Sequence, residues 1–264
     1  MLRHLLLAML FGATAAQAEM IEFPIKVYGN ADPVTLQGEL TVPDGAGPFP
    51  AVVMMHGCAG LSDAVRAGLQ SHAAFFAQNG FASLILDSFE PRGLGGGGVC
   101  ASFQELAEAR SYRQDDAVDA ARVLAARPEI DGENLFQLGQ SNGGSVSVLL
   151  AMRGAARDDG EPAFRANAAY YPWCGAFNAA SKARIKLPLI ALVGDKDDWT
   201  PPTKCKSLEV VGAAYEIHAY PDATHSFDLD VPIQKYQGHT VGYDAEATRE
   251  SRAAMLAFFK QHLK

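Results

Sequence analysis

Four short runs in this chain are apolar at nearly every residue, and they constrain its fold more than anything else does. They are Ala51-Val52-Val53-Met54-Met55, Ala82-Ser83-Leu84-Ile85-Leu86, Leu135-Phe136-Gln137-Leu138 and Leu189-Ile190-Ala191-Leu192-Val193. A strand with one face in water alternates apolar and polar residues, whereas a run without alternation suits a strand covered on both faces. Between the runs lie stretches with helical period: Arg66 to Gln78, Ser111 to Ala126, Ser145 to Arg153 and Ala245 to His262. In the last of these, Ala253, Leu256, Phe259 and Leu263 recur at helical spacing. Strand–helix alternation predicts a doubly wound, mainly parallel sheet with helices on both faces. Ala168 to Tyr171 and Ala214 to Tyr220 add strands, and the alternating segments Glu22 to Tyr28 and Leu36 to Pro43 read as antiparallel ones. With no repeat and no interdomain linker, residues 19–264 read as a single α/β domain. Gly93 to Gly98 reads as a flexible surface loop, and Phe227 to Asp244 is long enough to border a pocket.

The first residues follow a different logic. Arg3 and His4 precede an apolar run from Leu5 to Phe11, and Ala16-Gln17-Ala18 follows. A basic start, a short apolar stretch and an Ala-x-Ala site make residues 1–18 a signal peptide, with the cut expected before Glu19. The run is too short to span a bilayer comfortably, so no membrane span is expected after cleavage. The mature chain is expected to be exported, to the periplasm or outside the cell. Its net charge of -8 and the lack of Lys/Arg clusters argue against a nucleic-acid partner. The four cysteines suit an exported chain with two disulfides. Cys58 with Cys100 and Cys174 with Cys205 is the favoured pairing, because in each pair both cysteines follow strands ending on one edge of the sheet. Their spacing does not suit zinc, and no metal is expected.

The chemistry is concentrated where the third apolar run ends. Gly139-Gln140-Ser141-Asn142-Gly143 follows it directly, and the small residues Ser145-Val146-Ser147-Val148 then continue as a helix. A serine hydroxyl is a weak nucleophile unless it is presented to a base without hindrance. A Gly-x-Ser-x-Gly turn between strand and helix does that, with glycines letting the two elements approach. Ser141 is therefore the expected nucleophile for attack on an acyl carbon, although a helix N-cap is the other use of a serine at that place. A base and an orienting acid are then required. Asp195, Asp197 and Asp198 follow the fourth apolar run and His225 follows the next strand, so all stand at carboxyl ends of strands, where such sheets bind ligands. Their order, serine then acid then histidine, is that of α/β-hydrolases. Each also has a plainer reading, Asp197 as a helix cap and His225 as a polar loop residue. His56, in His56-Gly57-Cys58-Ala59-Gly60, reads as a shaper of its turn rather than a base.

These stretches, together with Asp87-Ser88-Phe89-Glu90-Pro91-Arg92-Gly93, Gly194-Asp195-Lys196-Asp197-Asp198-Trp199-Thr200-Pro201 and His225-Ser226-Phe227, resemble the dienelactone hydrolase family of α/β-hydrolases over nearly all of the mature chain. The resemblance implies an α/β-hydrolase fold and selects Asp197, three residues after the glycine and four before the proline. It also implies an oxyanion hole from the backbone amides of Asn142 and Cys58. This sequence departs from the family's type enzymes, which use a cysteine nucleophile and a nearby glutamate: here those positions hold Ser141 and Gly57. Of two arginines that grip a substrate carboxylate there, Arg92 matches one, while Leu229 stands at the other. Arg92 could bind an anionic group or make a salt bridge; Trp199, Trp173 and Phe227 could line the pocket or belong to the core. The expected activity is hydrolysis of a small ester or lactone without a cofactor. Thioesterase or peptidase chemistry on the same three residues, or an exported binding module, are the alternatives. Oligomeric state is not readable from the residues.

Overall fold

The computed structural model describes residues 18–25, 34–95, 97–154, 163–177 and 183–264. Along the chain run β1 (Glu19–Pro24), β2 (Thr35–Thr41), β3 (Phe49–Met55), α1 (Asp63–Gln78), β4 (Ala82–Asp87), α2 (Phe103–Ala125), β5 (Ile130–Gln140) and α3 (Asn142–Arg153). They are followed by β6 (Phe164–Tyr170), β7 (Ala183–Ile185), β8 (Leu189–Gly194), α4 (Thr203–Lys206), β9 (Val210–Gly212), β10 (Tyr215–Tyr220), β11 (Gln234–Tyr236), β12 (His239–Val241) and α5 (Ala245–Gln261). Eight strands form one sheet in the order β1-β2-β4-β3-β5-β6-β8-β10. Strands β4 to β10 within it pair in parallel, while β1 with β2 and β2 with β4 are antiparallel. This is the doubly wound, mainly parallel sheet that the apolar runs predict, in the α/β-hydrolase arrangement that the family resemblance implies.

Both faces of the sheet are covered, which is why those runs lack alternation. Val52 and Met54 of β3 face a core that includes Leu69 and Phe76 of α1 and Met255, Phe258 and Phe259 of α5. Ala51, Val53 and Met55 face the other way, toward Ala117, Ala121 and Leu124 of α2 and Val146 and Leu150 of α3. β1 and β2, with partial alternation, take the antiparallel edge.

Two expectations about elements are corrected. Helix α2 begins at Phe103, eight residues before the expected Ser111; Ser102 caps it by accepting a hydrogen bond from the Glu105 amide at 3.2 Å. The Ser102-Phe103-Gln104-Glu105 pattern carries that start, but the polar run after it hides the helix. On α5 the buried face is Thr248, Ser251, Met255, Phe258 and Phe259, while Ala253 and Leu263 are exposed. Thr248 and Ser251 can sit inside because their hydroxyls donate to carbonyls of Phe227 and Thr248. The loop from Gly93 lies at the surface, as expected, with the Gly98 amide on Leu94 O at 3.2 Å and the Val99 amide on Cys58 O at 2.8 Å at its end.

Both expected disulfides are present, Cys58–Cys100 and Cys174–Cys205. Residues 1–17 of the expected signal peptide, and Lys26, Val27 and Tyr28 of the first expected strand, lie outside the described residues. Among the described residues no helix is long and apolar enough to cross a membrane.

Candidate active site

The ends of β3, β5, β8 and β10 converge at one edge of the sheet, and the loops after them bring the sequence candidates together. Ser141 follows β5 with φ 53° and ψ -110°, a left-handed conformation that costs a non-glycine residue about 1–3 kcal/mol. The turn is held by the Ser141 amide on Tyr170 O at 3.0 Å and the Ser145 amide on Ser141 O at 2.9 Å. Its glycines are needed for closeness: a Cβ at Gly139 would run into the carbonyl of Gly143, and one at Gly143 would lie 2.5 Å from Met55 O. The Ser141 hydroxyl makes no capping bond to α3; its Oγ instead lies 3.0 Å from His225 Nε2.

His225 follows β10, and its Nδ1 is 2.8 Å from Asp197 Oδ2. Asp197 Oδ1 accepts the amides of Trp199 and Thr200, both at 2.8 Å. Asp197 Oδ2 also accepts the Thr200 hydroxyl at 2.8 Å, so the carboxylate fastens its own loop, but it does not cap α4, which follows Pro202 without a side-chain cap. Burial pushes its carboxyl pKa up, but the His225 charge and the hydrogen bonds from His225 and Thr200 outweigh this and hold it below the usual value. An ionised Asp197 fixes the proton on Nδ1 and leaves Nε2 as acceptor for the serine proton. The neighbouring acids are spent elsewhere. Asp195 pairs with Lys206, and Asp198 accepts from the Thr240 amide at 2.9 Å and from Lys235 at 3.2 Å.

Cys58 and Asn142 flank the serine. A Cβ on Gly57 would lie 3.3 Å from Ser141 Cβ, so the loop after β3 runs directly against the elbow. His56 is fully buried and shapes that loop: its Nδ1–H donates to Gly57 O at 2.7 Å, and its Nε2 accepts the Ser88 amide at 3.4 Å. Burial, reinforced by Arg113, holds the His56 pKa well below its ordinary value and keeps the ring neutral. In a trans peptide C=O and N–H point in opposite directions, so anchoring Gly57 O also sets the direction of the Cys58 amide. Asn142 opens the twelve-residue helix α3, where amides and the helix dipole favour negative charge.

A cavity of about 590 Å³ opens in front of Ser141 and His225. Leu61, Val65, Phe89, Trp199, Leu229 and Val231 give it apolar walls, and Gln234, Tyr236 and Val241 border it from the β11–β12 hairpin. Trp199 is the one of four pocket candidates that lines it, stacked on His239 at 4.9 Å. The other three are elsewhere. Arg92 donates twice to Asp116, at 2.9 and 2.8 Å, and lies over the Tyr112 ring, so the salt-bridge reading describes it. Phe227 is fully buried against Tyr170, Tyr171 and Tyr220. Trp173 packs against Gly175, with its amide on Ser145 Oγ at 3.0 Å. Among the lining residues the only arginine is Arg66, which pairs with Glu39, while Asp87 and Glu90 also border the cavity.

Two buried polar groups escape the sequence reading. Asp228 accepts from His72 Nε2 at 2.8 Å, Gln140 Nε2 at 2.7 Å and the Tyr171 hydroxyl at 2.6 Å, tying α1, the Gln140–Ser141 turn and the loop after His225 together. Burial raises its pKa, but those donors, His72 first, outweigh it and hold the carboxyl low. The second is Arg113, whose signal is faint but legible: it lies four residues from both Ala109 and Ala117 on the buried stripe of α2. Among the described residues no group of His, Cys, Asp and Glu could hold a metal ion.

The family model for the dienelactone hydrolase family matches residues 36–263. No curated relative matches the sequence. Among solved structures, a dienelactone hydrolase-like promiscuous phosphotriesterase from metagenomic libraries is similar with 23% identity and a TM-score of 0.63, over 93% of this chain and 99% of that one. A dienelactone hydrolase from Anabaena variabilis is similar with 18% identity and a TM-score of 0.62, over 94% of this chain and 100% of that one. At those identities the likeness to the two structures is one of fold.

Proposed function

The chain belongs to the dienelactone hydrolase family and is by that membership a hydrolase of ester bonds; from there we propose that it is an exported serine hydrolase of small carboxylic esters or lactones, acting through an acyl-enzyme. The reading rests on the continuous run of hydrogen-bonding distances from Ser141 Oγ through His225 to Asp197, at the floor of a largely apolar cavity. His225 Nε2 takes the serine proton as Oγ attacks the carbonyl carbon, and Asp197 stabilises the imidazolium that results. The backbone amides of Asn142 and Cys58 receive the tetrahedral oxyanion. Its collapse breaks the ester C–O bond, and the imidazolium returns the proton to the departing alkoxide. Water, deprotonated by His225, then releases the acid and restores Ser141.

The two disulfides fit an oxidising compartment, in keeping with cleavage before Glu19. The test is Ser141→Ala. Turnover of chromogenic esters is expected to fall by at least about 10³-fold with the melting temperature unchanged, and labelling by a fluorophosphonate is expected to vanish. Turnover near that of the wild type from this variant would remove Ser141 as nucleophile. N-terminal sequencing of the exported protein is expected to begin at Glu19.

A further inference from the structure

The guanidinium of Arg113 is fully buried, and its hydrogen bonds go to neutral acceptors. Nη1 donates to Asn142 Oδ1 at 2.7 Å and Nη2 donates to His56 O at 2.7 Å, with His56 Nδ1 at 3.5 Å. Its Nε has no hydrogen-bond partner, and its Cζ lies over the Phe89 ring, 4.9 Å from the centroid. The nearby carboxylates are engaged with other groups, Asp116 with Arg92 and Asp87 with the amides of Phe89 and Glu90. A buried charge without a carboxylate bonded to it is expensive to keep in a fold. What it touches explains its place. Asn142 carries one of the two amides assigned to the oxyanion, and its side chain is further fixed by Nδ2 donating to Leu106 O at 3.1 Å. His56 begins the turn that carries the other amide, and its ring sets the peptide plane before Cys58.

We propose that Arg113 is the positioning residue of the oxyanion hole, bracing both donor-bearing segments from behind with one rigid fork and placing a positive charge beneath the site where negative charge develops. The role rests on the serine-hydrolase reading above. Arginine suits it because the planar guanidinium presents donors at fixed separation, which a lysine ammonium cannot. Burial lowers its pKa to about 10, which leaves the group charged at neutral pH. The effect belongs to the transition state, because the ground-state carbonyl carries little charge and gains little from the brace.

The experiment compares Arg113→Met and Arg113→Lys with the wild type, using a chromogenic ester, a boronic acid that mimics the tetrahedral intermediate, and thermal melting. Arg113→Met is expected to lower kcat on the order of 10- to 100-fold with KM within about threefold, and to weaken the boronic acid by a factor parallel to the loss in kcat/KM. Arg113→Lys, which keeps the charge and loses the fork, is expected to lose more than about threefold in kcat but less than Arg113→Met. A kcat within about threefold of wild type in either folded variant, or a loss confined to KM, overturns the role. If Arg113→Met melts below the assay temperature, Arg113→Lys decides by the same criteria. Fluorophosphonate labelling separates the two levels of inference. A wild-type protein that neither labels nor cleaves esters overturns the serine-hydrolase reading. A labelled wild type with both variants reacting equally fast overturns only the role of Arg113.

Discussion

Asp228 stands three residues beyond His225 and gathers donors from three parts of the chain, Gln140, Tyr171 and His72. Of these donors Tyr171 has positive φ, as do Ser141, next to Gln140, and Ser226, two residues before Asp228, so strain is concentrated where the network can hold it. Asp228→Asn removes the charge that matches these donors and is expected to cost about 3 kcal/mol of stability, read by urea unfolding, with turnover falling as the Gln140–Ser141 turn relaxes. Unchanged stability would mean that the cluster is not a structural anchor. Asp228 and Asp197 both have lowered pKa values in the fold. Groups of that kind stabilise the protein above their unfolded pKa, near 4, and the contribution is lost as pH falls through the folded value. The melting temperature of the wild type is therefore expected to drop more steeply below about pH 4 than that of Asp228→Asn; parallel curves would contradict it. At the pocket, Arg92 is committed to Asp116 and Leu229 lines the wall, while Asp87 and Glu90 border it. Esters with an uncharged acyl group should accordingly be cleaved faster than their carboxylate-bearing analogues, and the opposite order in a paired kinetic assay would exclude this view of the pocket.

Between β5 and α3 the elbow works as a unit because glycine permits backbone atoms to touch. Gly139→Ala is expected to destabilise the fold by several kcal/mol, since its Cβ would occupy the place of the Gly143 carbonyl. A folded Gly139→Ala protein with normal fluorophosphonate labelling would show that the elbow can open without loss. The β11–β12 hairpin depends on the opposite principle, attachment from outside. Asp198 binds the Thr240 amide and Lys235, the His225 carbonyl accepts the Gly242 amide at 3.2 Å, and Trp199 stacks on His239. Removing the latch with Asp198→Ala is expected to raise KM about fivefold and speed amide exchange in residues 234–241, with a smaller change in kcat. The elbow was readable because its residues are contiguous in the chain. The hairpin was not, because what holds it is the neighbour of the proposed catalytic acid, about 40 residues away, and Phe227 to Asp244 shows only length and polarity.

Over the whole molecule, the two disulfides close loops of 42 and 31 residues, and one of them anchors Cys58 beside Ser141. Each is expected to contribute about 2–4 kcal/mol, so reduction should lower the melting temperature measurably; Cys174→Ser with Cys205→Ser should do so while leaving turnover nearly intact. A reduced protein with an unaltered melting curve would be incompatible with that. Sequence alone determined the sheet, the placement of helices on both faces, the cysteine pairs and the serine–acid–histidine order. Each of these follows from local periodicity or from strand ends that any doubly wound sheet brings to one edge. Beyond the faint sign that Arg113 lies on the buried stripe of α2, sequence did not settle which charged side chains turn inward. Arg92, matched to a ligand-binding position, was drawn to Asp116, whereas Arg113, hidden in a helical stripe, reached the elbow. That choice belonged to the tertiary structure, because a long side chain goes to whichever partner the packed elements set within about 3 Å, and chain spacing does not encode that distance.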